Sequence, residues 1–151
     1  MGCDIHVFEE KLNNGKYVGD ETELLGDRNY GVFAFLAGVR NYGAIVPISK
    51  PRGLPKDVSS WVEEEADRWA SDGHSRSWLS IDELLNFDYE QMTEDRRCTR
   101  MKNGVLNGGC TCDPGEGEKM TYREYLGESF FEDLAELKKE GVDRIVFWFD
   151  N

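Results

Sequence analysis

The dipeptide Asn14-Gly15 limits most tightly how this chain can begin. Both residues tolerate positive φ, which a two-residue type I′ turn requires, and the twist of that turn matches paired strands. Before it runs Asp4 to Lys11, an alternating stretch with Ile5 and Val7 on one face and Asp4, His6 and Phe8 on the other. After it comes Lys16-Tyr17-Val18, so the chain opens as a β-hairpin. At the far end Ile145 to Phe149 is an apolar run of strand length, which reads as a buried strand beside the first one.

Helix signals fill the space between. Arg28 to Ala37 is almost wholly apolar, entered from Asp27 or Asn29 and stopped at Gly38, so it reads as a buried helix. Pro47, Pro51 and Pro55 with Gly43 and Gly53 exclude a continuous helix over 41–57 and leave a long ordered loop. Ser60-x-x-Glu63 predicts a capped helix to about Trp69, and Ser80-x-x-Glu83 a second to about Gln91, with Ser71 to Trp78 as a polar turn between them. Thr121-x-x-Glu124 opens a third helical region that runs to Glu140, broken at Gly127 and closed by Gly141. The expected fold class is α+β: a small antiparallel sheet, made of the N-terminal hairpin and the C-terminal strand, packed with three to four helices. A single domain spans 1–151, with an irregular hairpin insertion at 93–119 marked by Asn103-Gly104 and Asn107-Gly108.

Charge is the most informative part of the composition. The net is −12, but 27–56 holds one acid against five bases, Arg28, Arg40, Lys50, Arg52 and Lys56. The overall sign opposes general nucleic-acid binding. The basic island can hold a small anion, because a guanidinium matches phosphate oxygens in a bidentate way; its arginines can equally pair with the surplus acids. No apolar run approaches the roughly 20 residues a membrane span needs, and no basic-then-apolar leader opens the sequence. A cytoplasmic, membrane-free protein is expected. Four cysteines in that setting fit thiols or a metal better than disulfides.

Two histidines carry the candidate chemistry. Asp4 and His6 share a strand face, Asp72 and His74 repeat the Asp-x-His spacing, and the four can converge on a divalent transition metal if the turn folds over the first strand. Each histidine can equally bond within its own strand or loop. Cys98, Cys110 and Cys112, spaced C-x11-C-x-C, lack the paired knuckles of structural zinc sites, so thiols in a hairpin fit them better. Ser75 and Ser77 flank Arg76 near His74 without a nucleophile-elbow glycine pattern. Trp78, just after the turn, can stack on a base or fill the core.

The opening Met-Gly-Cys-Asp-Ile-His, Asp27 to Tyr30, Leu36 to Arg40, Pro47 to Pro55, Gly73-His74-Ser75, Ser77-Trp78-Leu79 and the closing Val146 to Asp150 together carry a resemblance. In these segments, in this order, the chain resembles a family of small uncharacterised proteins of tailed bacteriophages and prophages. The resemblance implies a setting in which the protein acts on the host cell, by blocking a host protein or by capturing or destroying a small signalling molecule.

Three functions follow as expectations. The first is a phage accessory protein that binds a small anionic ligand, such as a nucleotide-derived signal, with Arg28, Arg40 and Arg52 on phosphate, Asp4, His6 and His74 on ribose, base or metal, and Trp78 stacking. The second is a metal-dependent phosphoester hydrolase built on Asp4, His6, Asp72 and His74. The third is an acidic blocker that covers a basic host protein.

Overall fold

A computed structural model describes residues 2–97, 101–102, 105–106 and 110–151. The fold is α+β, and the chain divides into two compact units, one formed by 1–28, 51–87 and 129–151, the other by 29–50 and 88–128.

The first unit is built on a four-stranded sheet. Strands β1 (Asp4–Asn13) and β2 (Lys16–Glu21) form the expected hairpin around Asn14, whose φ is 51°, and Gly15, at 80°. Strand β8 (Arg144–Asp150) lies antiparallel to β1, pairing Asp4 with Asp150 and Glu10 with Arg144. Next to β8 is β3 (Gly73–Ser80), giving the order β2-β1-β8-β3. The polar composition of 71–78 predicts a turn; only Ala70–Asp72 turns, as one 3-10 turn, and the polar residues after it are a strand. Their polarity hid it: Ser77 is buried on the sheet yet satisfied, its hydroxyl accepting from the Arg52 amide at 3.1 Å. A bulge between His74 and Ser77, with Ser75 at φ 55°, further breaks the alternation that would have marked a strand.

One face of this sheet is covered by α2 (Ser60–Trp69). Phe8, Val146 and Trp148 from the sheet meet Val62 and Ala66 from the helix, and Phe8 stacks on Trp148 at 4.6 Å. Each such aromatic contributes on the order of 2–3 kcal/mol by burial. The expected capping box at Ser60 is not formed. Ser59 is the N-cap, its hydroxyl takes no cap hydrogen bond, and its amide donates instead to the Glu10 carboxylate at 2.7 Å. Helix α2 approaches β2 at Gly19, where an added Cβ would collide with Ser59 Oγ and Val62 Cγ2, so only glycine admits the helix this close.

Helix α3 (Ile81–Asn86) begins at the expected box, Ser80 with Glu83, but ends five residues before Gln91. Helix α5 (Glu128–Lys139) buries Phe130, Leu134 and Leu137 at helical spacing and is tied down by the Leu25 amide, which donates to Asp133 at 2.9 Å. At one end of the sheet Glu10, fully buried, meets Arg144 at 2.6 Å; Arg144 also reaches Asp57 at 2.8 Å and lies 3.5 Å over the Tyr17 ring. This clamp joins β1, β8 and the loop before α2, and the candidate residues lie at the opposite end of the same ladder.

The second unit contains α1 (Tyr30–Ala37), whose side chains from Val32 to Ala37 are buried. Asn29 caps it, accepting from the amides of Gly31 and Val32, and Gly38 closes it at φ 70°. Strands β4 (Met92–Asp95) and β7 (Glu118–Thr121) pair, as do β5 (Met101–Lys102) and β6 (Val105–Leu106). Thr121 and Glu124 cap α4 (Tyr122–Leu126) in a complete box. Phe35 packs edge-on against Tyr122, and the Tyr122 hydroxyl donates to the Val46 carbonyl at 2.8 Å. No helix among the described residues is long and apolar enough to cross a membrane. Cys110 and Cys112 are half-buried; Cys98 and the two Asn-Gly turns of the insertion lie outside the described residues.

Candidate functional site

The β1 and β8 register brings Asp4, His6 and Asp150 together at one end of the sheet. His6 pairs with Trp148, and a diagonal neighbour two residues along the partner strand is within reach of a long side chain. His6 Nε2 meets Asp150 Oδ2 at 2.7 Å, while Asp150 Oδ1 accepts the Asp4 amide at 3.2 Å. In the neutral ring a carboxylate at Nε2 favours the Nε2–H tautomer, in which Nδ1 carries the lone pair. Trp69, at the end of α2, lies against the imidazole with centroids 4.2 Å apart. His6 and Asp150 are each about a quarter exposed, at 26% and 25%. The imidazole is thus oriented, backed by an indole, and open on one side.

Asp4 does not face a metal. Arg28 grips its carboxylate through Nε at 2.7 Å and Nη2 at 2.8 Å, and these hydrogen bonds hold the carboxyl below the usual aspartate value. His74 is carried to the opposite face of the sheet from His6: it pairs with Phe149 and stacks on that ring at 6.1 Å, while His6 pairs with Trp148. Its Nδ1 meets Ser75 Oγ at 3.0 Å, and its buried Nε2 has no described partner. Asp72 is exposed on the 3-10 turn. The four-residue convergence expected from the paired Asp-x-His spacings is therefore not formed, because the polar stretch is a strand that sends His74 across the sheet. No group of three or more His, Cys, Asp or Glu side chains among the described residues could hold a metal ion.

The three arginines expected on phosphate are engaged elsewhere. Arg52 makes a bidentate pair with Glu83, at 2.9 Å and 2.5 Å, donates to the Trp78 carbonyl and lies 4.9 Å over the Trp78 ring. Those hydrogen bonds hold the Glu83 carboxyl below its usual value and raise the Arg52 guanidinium further. Trp78 packs against the α2 face of the core, so its ring serves as a platform for Arg52. Arg28 is at the Asp4 and Asp150 end of the sheet, and Arg52 toward the Arg144 and Ser80 end. Arg40, in the second unit, has a φ of 51°, donates to the Tyr42 hydroxyl at 3.2 Å and lies 5.7 Å from the Tyr30 ring.

Beside His6 opens a groove of about 430 Å³, lined by Ile5, His6, Val7 and Phe8 of β1 and by Glu21, Thr22, Glu23, Gly26 and Asp27. Three carboxylates border it and no lysine or arginine lines it. Charge in the first unit has the same sign: 21 acidic against 10 basic side chains, a net of −11 out of −12 for the chain. Asp150, Trp69 and the three groove carboxylates carry no local pattern that marks them in the sequence as site residues. Asp150 shares the alternation of Trp148 in the last strand, and that was its one available signal.

No protein-family model, curated protein or solved structure matches this chain.

Proposed function

We propose that the chain is a phage accessory protein that works by binding a basic partner in the host cell through the groove beside His6. The observation that carries this reading is the groove itself: an opening about 430 Å³ in volume, walled by Glu21, Glu23 and Asp27, in a unit with a net charge of −11. A concave, single-sign surface concentrates ligands of opposite charge and speeds their encounter. The oriented imidazole adds a further polar group at the groove wall. Capture of a small anion has less support, since Arg28 and Arg52 already hold carboxylates in bidentate pairs and an anion would have to displace them.

Thermal stability in the presence of two panels of compounds tests the reading. A compound that binds only the folded state raises the melting temperature in proportion to its occupancy. Lysine- and arginine-rich peptides should raise it, more at low salt than at high salt, while cyclic and linear nucleotides should leave it unchanged. Stabilisation by the nucleotides and not by the peptides would replace this proposal with anion capture.

A further inference from the structure

The groove has an inner wall that is not a side chain. Strand β2 ends at Glu21, opposite Phe8, and Thr22 still bonds the Val7 carbonyl, so the stretch of β1 from Asp4 to His6 has no strand beside it on that side. Successive residues of a strand point their backbone groups alternately to its two edges. Two hydrogen bonds set the phase here. The Glu10 carbonyl accepts from Asp143, on the β8 side, and the Val7 carbonyl accepts from Thr22, on the β2 side. Even-numbered residues of β1 therefore bond toward β8, and Ile5, two before Val7, points its amide and carbonyl into the groove. No described residue outside the strands bonds to either group. Buried or half-buried backbone groups of this kind need a partner, and an open sheet edge is a template for a further strand.

We propose that the groove takes an extended basic segment of the partner as an added strand, hydrogen-bonded to the Ile5 amide and carbonyl, with its cationic side chains on Glu21, Glu23 and Asp27. Strand addition draws affinity from the main chain and specificity from alternate side chains. Three residues from Asp4 to His6 give an edge of roughly 10 Å at about 3.3 Å per residue, so the segment is three to four residues long. The charge of the rim selects the occupant: all three side chains are exposed carboxylates, and a neutral or acidic strand would leave them facing one another without a counter-charge. Such an arrangement also keeps two copies of this chain from pairing edge to edge, because like charges would meet across the join.

The inference rests on the basic-partner reading, and the test separates the two. The probe is an acetylated, amidated hexapeptide of alternating valine and lysine, with a second version N-methylated at its two central amides. Amide hydrogen exchange is followed residue by residue on the full chain. Without peptide, the Ile5 amide should exchange at least tenfold faster than those of His6 and Phe8, which bond to β8; an Ile5 amide as protected as theirs would overturn the open edge outright. With peptide, Ile5 protection should rise at least tenfold, and N-methylation should weaken binding at least tenfold. Replacing the rim by Glu21→Gln, Glu23→Gln and Asp27→Asn should weaken it about fivefold to tenfold, as a few exposed charge pairs do. Peptide that binds with sensitivity to the rim but leaves Ile5 exchange unchanged and tolerates N-methylation would overturn strand addition and leave the basic-partner reading standing. A peptide that does not bind at all would remove both.

Discussion

Replacing Arg144 by methionine keeps most of the apolar stem and deletes the charge on which one end of the sheet is built. Glu10 is fully buried, and its carboxylate has two donors, Arg144 Nε at 2.6 Å and the Ser59 amide at 2.7 Å. The substitution leaves one donor and an uncompensated buried charge, a loss of about 3–5 kcal/mol for pairs of this kind. The bond to Asp57 adds little to this figure, because that carboxylate is 69% exposed and screened by water. In a chain of this length each kcal/mol lowers the melting temperature by about 2–4 °C, so a fall of about 10 °C is expected. Glu10→Met combined with Arg144→Met removes both charges together and should recover at least about 2 kcal/mol relative to the sum of the single losses. Urea titration at neutral pH, followed by tryptophan fluorescence with the slope checked for constancy, measures all three. If Arg144→Met stays within about 1 kcal/mol of the parent, or the double variant equals the sum of the singles, then the clamp does not hold β1 against β8 as argued.

Three further outcomes follow from the same geometry. Asp150→Ala should shift the neutral His6 ring from the Nε2–H tautomer toward a mixture, read by the nitrogen shifts of the imidazole, whereas an unchanged tautomer would show that Asp150 does not orient it. Glu83 is held below its ordinary value of 4.5 by Arg52, so its pairing stabilises the fold above the unfolded value and is lost as pH falls through the lower folded value. Arg52→Gln should therefore lower stability at pH 7 by up to about 1 kcal/mol and flatten the loss between about pH 5 and pH 3; an unchanged pH profile would contradict this. Gly19→Ala forces a methyl into Ser59 Oγ and Val62 Cγ2 and should cost about 1–3 kcal/mol in the same urea titration, while a neutral result would mean that α2 does not approach β2 at that point.

What the sequence revealed depended on whether a signal was local. The Asn14-Gly15 turn, the Asn29 to Gly38 helix and the two complete capping boxes at Ser80 and Thr121 are short-range devices, and each formed where its residues predicted. The buried strand Arg144–Asp150 was legible because its apolar run has few other destinations. Strand β3 was not, since Gly73 to Ser77 is polar and bulged, and its buried Ser77 is satisfied by a long-range partner, the Arg52 amide. The Ser60 box failed for a comparable reason: the buried Glu10 carboxylate, 49 residues away in sequence, took the Ser59 amide and moved the cap. The site shows the same division. Asp4 and His6 were recognisable as a pair on one strand face, but their partners depend on register and loop packing. Asp150 reaches His6 through the register of β1 against β8, which pairs His6 with Trp148 and, at the far end, Glu10 with Arg144. The arginines were visible as a basic island, and only the folded chain shows that Arg28 and Arg52 are held by Asp4 and Glu83.

The central claim, that the groove beside His6 selects a basic partner, is tested most directly by calorimetric titration of the valine-lysine hexapeptide. The parent chain is compared with the Glu21→Gln, Glu23→Gln, Asp27→Asn variant at low and high salt. The account predicts saturable binding to the parent that weakens with salt, and binding to the variant about fivefold to tenfold weaker and less steeply dependent on salt. Equal affinity of the two proteins, with equal salt dependence, would contradict it.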